Sequence, residues 1–390
     1  MNDFIFYNST KVMFGRNQME KLPGELLKCG KNVLMVYGGG SIKRNGLYEK
    51  LMKLMKDADI NVVELAGVEP NPRHTTVNKG AAICIEHNIH AILAVGGGST
   101  IDCAKGIAAT ALSETDDVWD LVTGKVKIEK ALPIFVALTM AATGSEMDNG
   151  AVISNMKLTK KEPLVSPALQ PRVSFEDPIN TFSVPAYQTA CGSVDIMSHI
   201  FDVAYFSADN QMDMLTRLQE EVLKTVVKYA PVALVKPDDY EARANLMWAA
   251  SWALNGFLYG GIAQATVCHM MEHELSAYYD ITHGHGLAII TTQWLRYILD
   301  ETTAPAIRRF GVRVLGVDSV LCDMDGAEAA IEALEKFFFE TLGLKKTLTE
   351  LNITDEHFAE MAESSCHGGV MHSLKDLMPK DVEAIYRMCL

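Results

Sequence analysis

The sequence predicts an α/β domain built on a parallel sheet, followed by an all-helical domain. In the first half of the chain, short buried apolar segments typical of strands alternate with helical segments, which is the pattern of a parallel α/β sheet. Beyond about Pro185 the strand patterns stop and long helical patterns follow. We therefore expect the α/β domain to span residues 1–183 and the helical domain to span residues 184–390.

The elements of the predicted α/β domain follow one another along the chain. A short strand pattern opens the domain near Phe4–Phe14. Buried strands are predicted at Asn32–Tyr37, 60–67, His90–Val95 and 133–140, and helices at Asn45–Asp57, Thr75–Asn88 and 103–112. After the apolar segment 151–154, a connection leads to the second domain and carries Pro163, Pro167, Pro171, Pro178 and Pro185.

Long helical patterns make up the second domain. They are predicted at Met212–Tyr229, Glu241–Leu258, Ala263–Tyr279, Ala327–Leu342 and Asp381–Cys389. The chain shows neither an internal repeat nor a low-complexity tract.

Composition and charge exclude several classes of protein. The 35 basic and 49 acidic residues give a net charge of −14, which argues against binding to nucleic acid or to anionic membrane surfaces. The eight cysteines are scattered without a C-x-x-C pair, as expected in a reducing cytosol. No signal peptide and no apolar run of transmembrane length is present, so we expect a cytoplasmic protein.

Four of the eleven histidines lie in one stretch of the second domain. His269 and His273 are four residues apart on a predicted helix, so their imidazoles point the same way, and neutral imidazole is the commonest metal ligand in proteins. His283 and His285 follow on a predicted loop, because glycines interrupt the helical pattern there. The metalloprotease motif H-E-x-x-H is excluded, because Met270 occupies the position of its glutamate.

A second pair with the same spacing lies upstream, where Asp195 and His199 are four residues apart on another predicted helix. One carboxylate with two or three imidazoles makes a compact site for Zn²⁺ or Fe²⁺ that leaves room for a substrate oxygen. The alternative is that all of these are ordinary core or surface residues of a helical domain. Two pairs with helical spacing, together with His283 and His285, favour the metal site over this alternative.

Two of the predicted strands end in glycine-rich turns that lead into helices. Such a turn presents backbone N–H groups and the positive end of a helix dipole to a phosphate. Gly96–Asp102 is the stronger instance, and there Ser99 is a predicted N-cap that Asp102 completes as a capping box. Neither this turn nor Gly38–Ser41 has the G-x-G-x-x-G pattern, so the hypothesis of a dinucleotide site depends on two such turns following two parallel strands.

The first of these turns bears on the kind of dinucleotide. Sites for NAD usually place an acidic residue at a strand end to hold the ribose hydroxyls. Here the turn is followed by Lys43 and Arg44, and no acid occurs before Glu49. The sequence therefore favours a 2′-phosphate, and hence NADP(H), unless the two cations are only solvated surface residues.

Taken together, these motifs resemble a known family. The chain is similar to the iron-containing, or group III, alcohol dehydrogenases, and within them to the branch of NADPH-dependent aldehyde reductases and butanol dehydrogenases. The resemblance covers essentially the whole chain and is carried by YGGGSIKRNG, VGGGSTIDCAKG, TMAATGSE, GSVDIMSH and HMMEHELSAYYDITHG, in the order of the family. It implies a Rossmann-like dinucleotide-binding domain and a helical metal-binding domain, the dehydroquinate synthase-like fold.

The resemblance also implies roles for individual residues. The metal ligands would be Asp195, His199, His269 and His283, while His273 matches a histidine near the nicotinamide that is not usually a ligand. The positions that match the pyrophosphate turn are Gly97, Gly98, Ser99 and Asp102. Those that match the lining of the nicotinamide and its ribose are Thr139, Thr143 and Lys161. Those that match the adenosine-ribose end are Gly38, Gly39, Gly40, Ser41 and Asn71. His285 has no ligand counterpart, and we expect it to lie behind the ligands or to face solvent.

The expected activity is hydride transfer between NADP(H) and a small primary alcohol or aldehyde such as butanol or butanal, with Fe²⁺ or Zn²⁺ polarising the substrate oxygen. His273 is expected to relay the hydroxyl proton or to act structurally. One alternative is a metal-dependent lyase or cyclase of the dehydroquinate synthase type, although few basic residues adjoin the metal motifs. A non-catalytic metal-binding protein is another alternative. The resemblance implies a homodimer.

Overall fold

The computed structural model describes residues 2–208 and 212–390. The chain divides into two compact units that are not contiguous in sequence. The α/β unit comprises Tyr7–Val184 and Pro237–Ser251. The helical unit comprises Pro185–Lys236, Trp252–Leu390 and the N-terminal residues through Phe6.

The α/β unit contains a parallel six-stranded sheet and a two-stranded antiparallel hairpin. The order across the large sheet is β1-β8-β5-β4-β2-β3, and β6 and β7 form the hairpin. The strands are β1 (Lys11–Phe14), β2 (Asn32–Tyr37), β3 (Asn61–Ala66), β4 (Ala91–Gly96), β5 (Ile134–Leu138), β6 (Gly150–Asn155), β7 (Lys160–Val165) and β8 (Val173–Glu176).

Helices flank this sheet and make up the helical unit. Those of the α/β unit are α1 (Leu22–Leu26), α2 (Ser41–Arg44), α3 (Leu47–Asp57), α4 (His74–Glu86), α5 (Gly98–Thr110), α6 (Val118–Val122) and most of α9 (Tyr240–Ala253). Those of the helical unit are α7 (Ala186–Ile200), α8 (Asp213–Val235), α10 (Val267–Tyr279), α11 (His283–Ile298), α12 (Ala304–Phe310), α13 (Asp323–Glu335), α14 (Phe358–Ser365) and α15 (Pro379–Met388). Within the described residues, no helix is both long and apolar enough to cross a membrane.

The central strands β2 and β4 are buried on both faces. On one face Leu34 packs in a core with Ile101 of α5, and on the other Met35 packs in a core with Leu51 of α3. The helices that follow β2 and β4 therefore lie on opposite faces of the sheet. Where the helices after two neighbouring strands lie on opposite faces of the sheet, a crevice opens at the carboxyl ends of those strands, and α/β proteins bind ligands there.

The predicted strands of the sheet are largely confirmed. Strand β2 has the predicted bounds, and β3, β4 and β5 differ from the prediction by at most two residues at either end. The opening strand is shorter than predicted, because β1 begins only at Lys11. In the helical unit, the sequence patterns predict α7, α8, α10, α13 and α15 and miss α11, α12 and α14.

The predicted proline-bearing connection is wrong, because it contains two strands. Pro163 lies within β7, opposite Val152 of β6. Each strand of a two-stranded ribbon bonds to one neighbour only, so a proline there is tolerated more easily than in the interior of a sheet. Strand β8 lies between β1 and β5 and completes the large sheet.

The predicted loop around His283 and His285 is also wrong, because α11 begins at His283. The intervening Gly284 serves close packing: a Cβ atom at this position would lie 2.0 Å from the carbonyl oxygen of Cys191 on α7. This glycine thus permits the first turn of α11 to contact the backbone of α7. A glycine selected for close packing looks the same in the sequence as one selected for a turn.

A buried lysine joins α5 to the segment before β6. Lys105 has no exposed surface, and its ammonium donates to the carboxylate of Asp148 at 2.6 Å and to the carbonyl oxygens of Asp148 and Gly150. Three acceptors satisfy all three of its N–H groups. This contact fixes the chain immediately after the T-G-S-E motif.

We predict that Lys105→Met destabilises the protein by about 3–5 kcal/mol, because it leaves the carboxylate of Asp148, only 11% exposed, without its cation. Lys53→Met is the matched control, since it breaks an ion pair with Asp57 whose side chains are 78% and 61% exposed. That change should cost less than about 1 kcal/mol. Urea unfolding of both variants checks the prediction, and equal losses would contradict it.

Candidate functional site

Three polar side chains on and just after α7 point toward one place in the helical unit. Asp195 and His199 lie on α7, and Asp202 lies in the single turn of π-helix, Phe201–Tyr205, that continues it. All three are buried. Turns of π-helix of this kind occur frequently at functional sites.

Side chains from α10 and α11 complete the cluster. Potential ligand atoms of Asp195, His199 and His269 lie within 4.8 Å of one another. The carboxylate Oδ1 of Asp195 is 3.8 Å from Nε2 of His199 and 3.7 Å from Nε2 of His283. The structure thus brings together all four residues that the sequence singles out as candidate ligands.

The contacts of His269 orient its Nε2 as they would in a metal ligand. Nδ1 of His269 is 2.8 Å from the carboxylate of Asp202, so this nitrogen carries the proton and donates it. Its Nε2 is buried and has no hydrogen-bond partner among residues 2–208 and 212–390. Burying a nitrogen lone pair without a partner costs free energy, and binding a metal ion would remove that cost.

His283 is held in the same manner by a different acid. Its Nδ1 contacts the carboxylate of Glu272, which is fully buried on α10. The same carboxylate accepts a hydrogen bond from the hydroxyl of Ser276 at 2.5 Å. Nε2 of His283 is thereby directed toward Asp195. Two of the three imidazoles therefore have a buried carboxylate behind them.

The surroundings shift the pKa values of two of these imidazoles in opposite directions. Burial, reinforced by the neighbouring His269 and His283, holds the pKa of His199 well below its ordinary value, so this ring is neutral. For His269, burial lowers the pKa, but the hydrogen bond and charge of Asp202 outweigh burial, so the pKa lies above its ordinary value. A metal ion at Nε2 would compete with a proton for this ring.

The donor set fits a small divalent ion. Tetrahedral coordination at about 2.05 Å places ligand atoms about 3.4 Å apart, close to the two distances from Asp195 Oδ1 given above. One carboxylate and three imidazoles, each of which must be neutral when it binds the ion, suit both Zn²⁺ and Fe²⁺. The residues that would hold the ion are Asp195, His199, His269 and His283.

The remaining two histidines of the cluster differ in their surroundings. The ring of His273 is buried, with its centre 5.6 Å from that of His283 and 6.5 Å from that of His269. His285 is buried and does not face solvent: its Nε2 donates to the carbonyl oxygen of Lys345 at 3.0 Å, so its Nδ1 accepts from the hydroxyl of Tyr187. His285 thus holds the first turn of α11.

In the α/β unit, the predicted cofactor residues lie at the carboxyl ends of neighbouring strands. Gly38–Ser41 follow β2, Gly97–Ser99 follow β4, and Thr139 follows β5, with its N–H donating to the carbonyl oxygen of Gly96 at 3.0 Å. Strands β2, β4 and β5 are adjacent in the sheet. These residues therefore lie along the crevice that the opposite placement of α3 and α5 creates.

Three more predicted residues lie beside this row. A Cβ atom at Gly98 would lie 2.4 Å from Thr143, so only glycine allows this contact between the turn and the T-G-S-E motif. Lys161 pairs with Ser154 in the hairpin, and the N–H of Ser154 donates to the carbonyl oxygen of Pro72, the residue after Asn71. The hairpin thereby places Lys161 and Asn71 close to each other.

The predicted capping box at the second glycine turn is wrong. Helix α5 begins at Gly98 with Gly97 as its N-cap, and Ser99 lies inside the helix. The carboxylate of Asp102 instead accepts from the hydroxyl of Ser145 at 2.6 Å and from the N–H of Val152 at 2.9 Å. Burial raises the pKa of Asp102 to about 6. Its contacts within the protein show it fastening the turn to the T-G-S-E segment and to β6.

Comparison with known proteins identifies the family. Residues 9–178 match the description "Iron-containing alcohol dehydrogenase", and residues 189–390 match "Fe-containing alcohol dehydrogenase family, C-terminal". The chain belongs to the iron-containing alcohol dehydrogenase family. The fold and the resemblance predicted from the sequence are both confirmed. This family member is a metal-dependent alcohol dehydrogenase or aldehyde reductase, and the family implies a nicotinamide cofactor and a divalent metal ion.

Individual relatives cover 90% or more of the chain. The chain is 47% identical over 389 residues, 99% of each chain, to NADH-dependent butanol dehydrogenase B of Clostridium acetobutylicum. It is 35% identical over 355 residues, 90% of each chain, to NADPH-dependent aldehyde reductase YqhD of Escherichia coli. The crystal structure of NADH-dependent butanol dehydrogenase A from Thermotoga maritima matches with a TM-score of 0.94 at 37% identity, covering 100% of this chain and 99% of that one. These relatives give no support to a lyase, a cyclase or a non-catalytic protein.

Two residues at the site of this alcohol dehydrogenase, Asp202 and Glu272, were not predicted from the sequence. Asp202 follows His199 by three residues and Asp195 by seven, so it continues the spacing of one helix face. Glu272 follows His269 by three residues. A search for acids within one or two helical turns of the candidate ligands would find both, because such carboxylates commonly orient metal-binding histidines.

We predict that Gly284→Ala weakens metal binding and lowers stability by about 1–3 kcal/mol, because the added methyl group would collide with the carbonyl of Cys191 and displace the first turn of α11 with His283. Gly24→Ala is the control, since a Cβ atom there meets no atom within 4 Å. Thermal unfolding and metal content of both variants check this. Wild-type metal content in Gly284→Ala would contradict it.

Proposed function

We propose that this enzyme interconverts small primary alcohols and aldehydes, such as butanol and butanal, using NADP(H) and a divalent ion held by Asp195, His199, His269 and His283. The observation that carries the proposal is the buried Nε2 of His269, which faces this cluster without a partner in the described part of the chain. Purified protein with NADPH and butanal, followed at the nicotinamide absorbance, tests the activity. No oxidation of NADPH would refute the proposal.

The protein's own groups have definable tasks in this reaction. When bound, the ion supplies Lewis acidity that polarises the substrate oxygen, and the nicotinamide supplies the hydride. Asp202 and Glu272 hold His269 and His283 with Nε2 toward the site. His273, buried beside the ligands, relays the hydroxyl proton in our proposal. The glycine turns after β2 and β4 bind the dinucleotide phosphates through backbone N–H groups.

The preference for NADP(H) rests on the turn after β2. Relatives named for NADH and for NADPH both occur, so family membership does not decide the cofactor. In this chain the ammonium of Lys43 lies 4.5 Å from the ring centre of Tyr48 and 5.3 Å from that of Tyr37. Glu64 accepts a hydrogen bond from the hydroxyl of each tyrosine. The two rings hold a cation next to Gly38–Ser41, where a 2′-phosphate would bind.

We also propose a homodimer, as the family resemblance implies. In the α/β unit, Tyr7 precedes the edge strand β1 by four residues and is 81% exposed, so it is accessible to a partner. Sedimentation equilibrium of the full chain gives the mass. A monomer at micromolar concentration would refute this part of the proposal.

The ligand assignment predicts a division among the histidines. Replacing Asp195, His199, His269 or His283 by Ala should lower metal content and activity together, because the ligands act as a unit. His273→Ala should retain the metal and lose kcat. Metal analysis of anaerobically purified variants, alongside kinetics, separates the two groups. Full activity in chelator-treated, metal-free enzyme would rule out the metal site.

The cofactor assignment predicts that kcat/KM for NADPH exceeds that for NADH by about a hundredfold, and that Gly39→Asp reverses the preference. A carboxylate there would repel the 2′-phosphate and accept from the ribose hydroxyls of NADH. The change is sterically allowed, since a Cβ atom at Gly39 meets no atom within 4 Å. The measurement is kcat/KM for both cofactors at one saturating aldehyde concentration, and equal values for the wild type would show that Lys43 is only a surface charge.

A further inference from the structure

The carboxylate of Asp202 accepts hydrogen bonds from backbone N–H groups and from an imidazole N–H. Its Oδ1 accepts from the backbone N–H of Cys268 at 3.0 Å. Its Oδ2 accepts from the backbone N–H and from the Nδ1–H of His269, both at 2.8 Å. The side chain is 1% exposed. One buried carboxylate therefore contacts both the backbone and the side chain of a single metal-ligand candidate.

The backbone contacts show that Asp202 caps α10 from another helix. Cys268 and His269 are the second and third residues of α10, and their N–H groups have no partner within the helix. The residue before the helix, Thr266, makes no side-chain cap. A carboxylate at the N-terminus of a helix also interacts favourably with the helix dipole. Asp202 thus supplies the cap that the local sequence of α10 lacks.

We propose that Asp202 is a positioning residue that fixes the tautomer of His269, and so sets the affinity of the site for its metal ion. This inference rests on the proposed ligand role of His269. A neutral imidazole carries one proton, and only the nitrogen without it can bind a metal ion. Because an ionised carboxylate can only accept, it holds the proton on Nδ1 and leaves Nε2 for the metal.

The two contacts reinforce each other. The hydrogen bonds to the backbone fix the carboxylate relative to the start of α10, and this rigid carboxylate then fixes the ring of His269. Since Asp202 follows His199 in the same helical segment, the contact also sets the distance between ligands contributed by α7 and by α10. A purely structural cap would hold the helix without selecting a tautomer, and this difference can be measured.

The test is Asp202→Asn, which keeps the shape of the side chain and replaces one acceptor oxygen by an NH₂ donor. An amide with its oxygen toward Cys268 turns its NH₂ against the backbone N–H of His269 and toward the ring, which must then accept at Nδ1 and move its proton to Nε2. The opposite orientation sets the NH₂ against the N–H of Cys268 and gives the ring only a neutral oxygen, so in either orientation His269 loses the ionised acceptor that holds its proton on Nδ1. The matched control is Glu220→Gln, an acid-to-amide change at a buried carboxylate that accepts from Tyr205.

We expect the Kd for Zn²⁺, measured by chelator competition with the full-length holoenzyme, to rise by about 10–100-fold in Asp202→Asn and to stay unchanged in Glu220→Gln. In metal-free protein with ¹⁵N-labelled histidine, at an alkaline pH where the ring is neutral, the ring nitrogen shifts should show the proton of His269 on Nδ1 in the wild type. A wild-type Kd in Asp202→Asn would overturn the proposal, and so would a wild-type proton on Nε2. The wild-type spectrum tests the tautomer of His269 even if the Asp202→Asn variant fails to fold.

His269→Ala separates this inference from the proposed function. If His269→Ala lowers metal affinity and Asp202→Asn does not, the ligand assignment stands and the role of Asp202 is refuted. If His269→Ala leaves the affinity unchanged, the ligand assignment itself is refuted, and the inference about Asp202 is refuted with it.

Discussion

The candidate site in the helical unit depends on two buried carboxylates, each paired with an imidazole: that of His269 is buried and that of His283 is half-buried. A carboxylate removed from water without partners costs several kcal/mol, and an imidazole without a fixed neighbour can present either nitrogen. Asp202 with His269 and Glu272 with His283 remove both difficulties at once. Each acid acquires donors, and each ring acquires one orientation. The cluster is thereby formed before any ion binds.

This arrangement requires three helices to approach closely, and small residues allow it. Gly284 lets the first turn of α11 lie against the backbone of α7, so His283 reaches Asp195. Buried His285 then holds that turn through Tyr187 on α7 and the carbonyl of Lys345. The same principle operates in the α/β unit, where Gly98 leaves room for Thr143. In both units the glycines bring other side chains into position.

Much of the fold and of the clustering could be predicted from the sequence, because strands buried on both faces and candidate ligands at helical spacing leave strong local patterns. Strand β2 and the pair Asp195 and His199 are examples. The errors occurred where distant residues decide the local structure. The capping box failed because Ser145 and Val152 engage the carboxylate of Asp102, and neither contact is visible in a local pattern.

Asp202 is a second case in which a distant residue decides the local structure. Local rules would find the cap of α10 next to the helix, yet the cap comes from a residue 66 positions away from Cys268. A helix that lacks its own cap is therefore a signal that another part of the chain completes it. In this enzyme the missing cap and a histidine that requires a fixed tautomer occur within three residues of each other. One carboxylate can satisfy both needs only because the N–H groups and the ring face the same side, and the geometry of the proposed metal site depends on that coincidence.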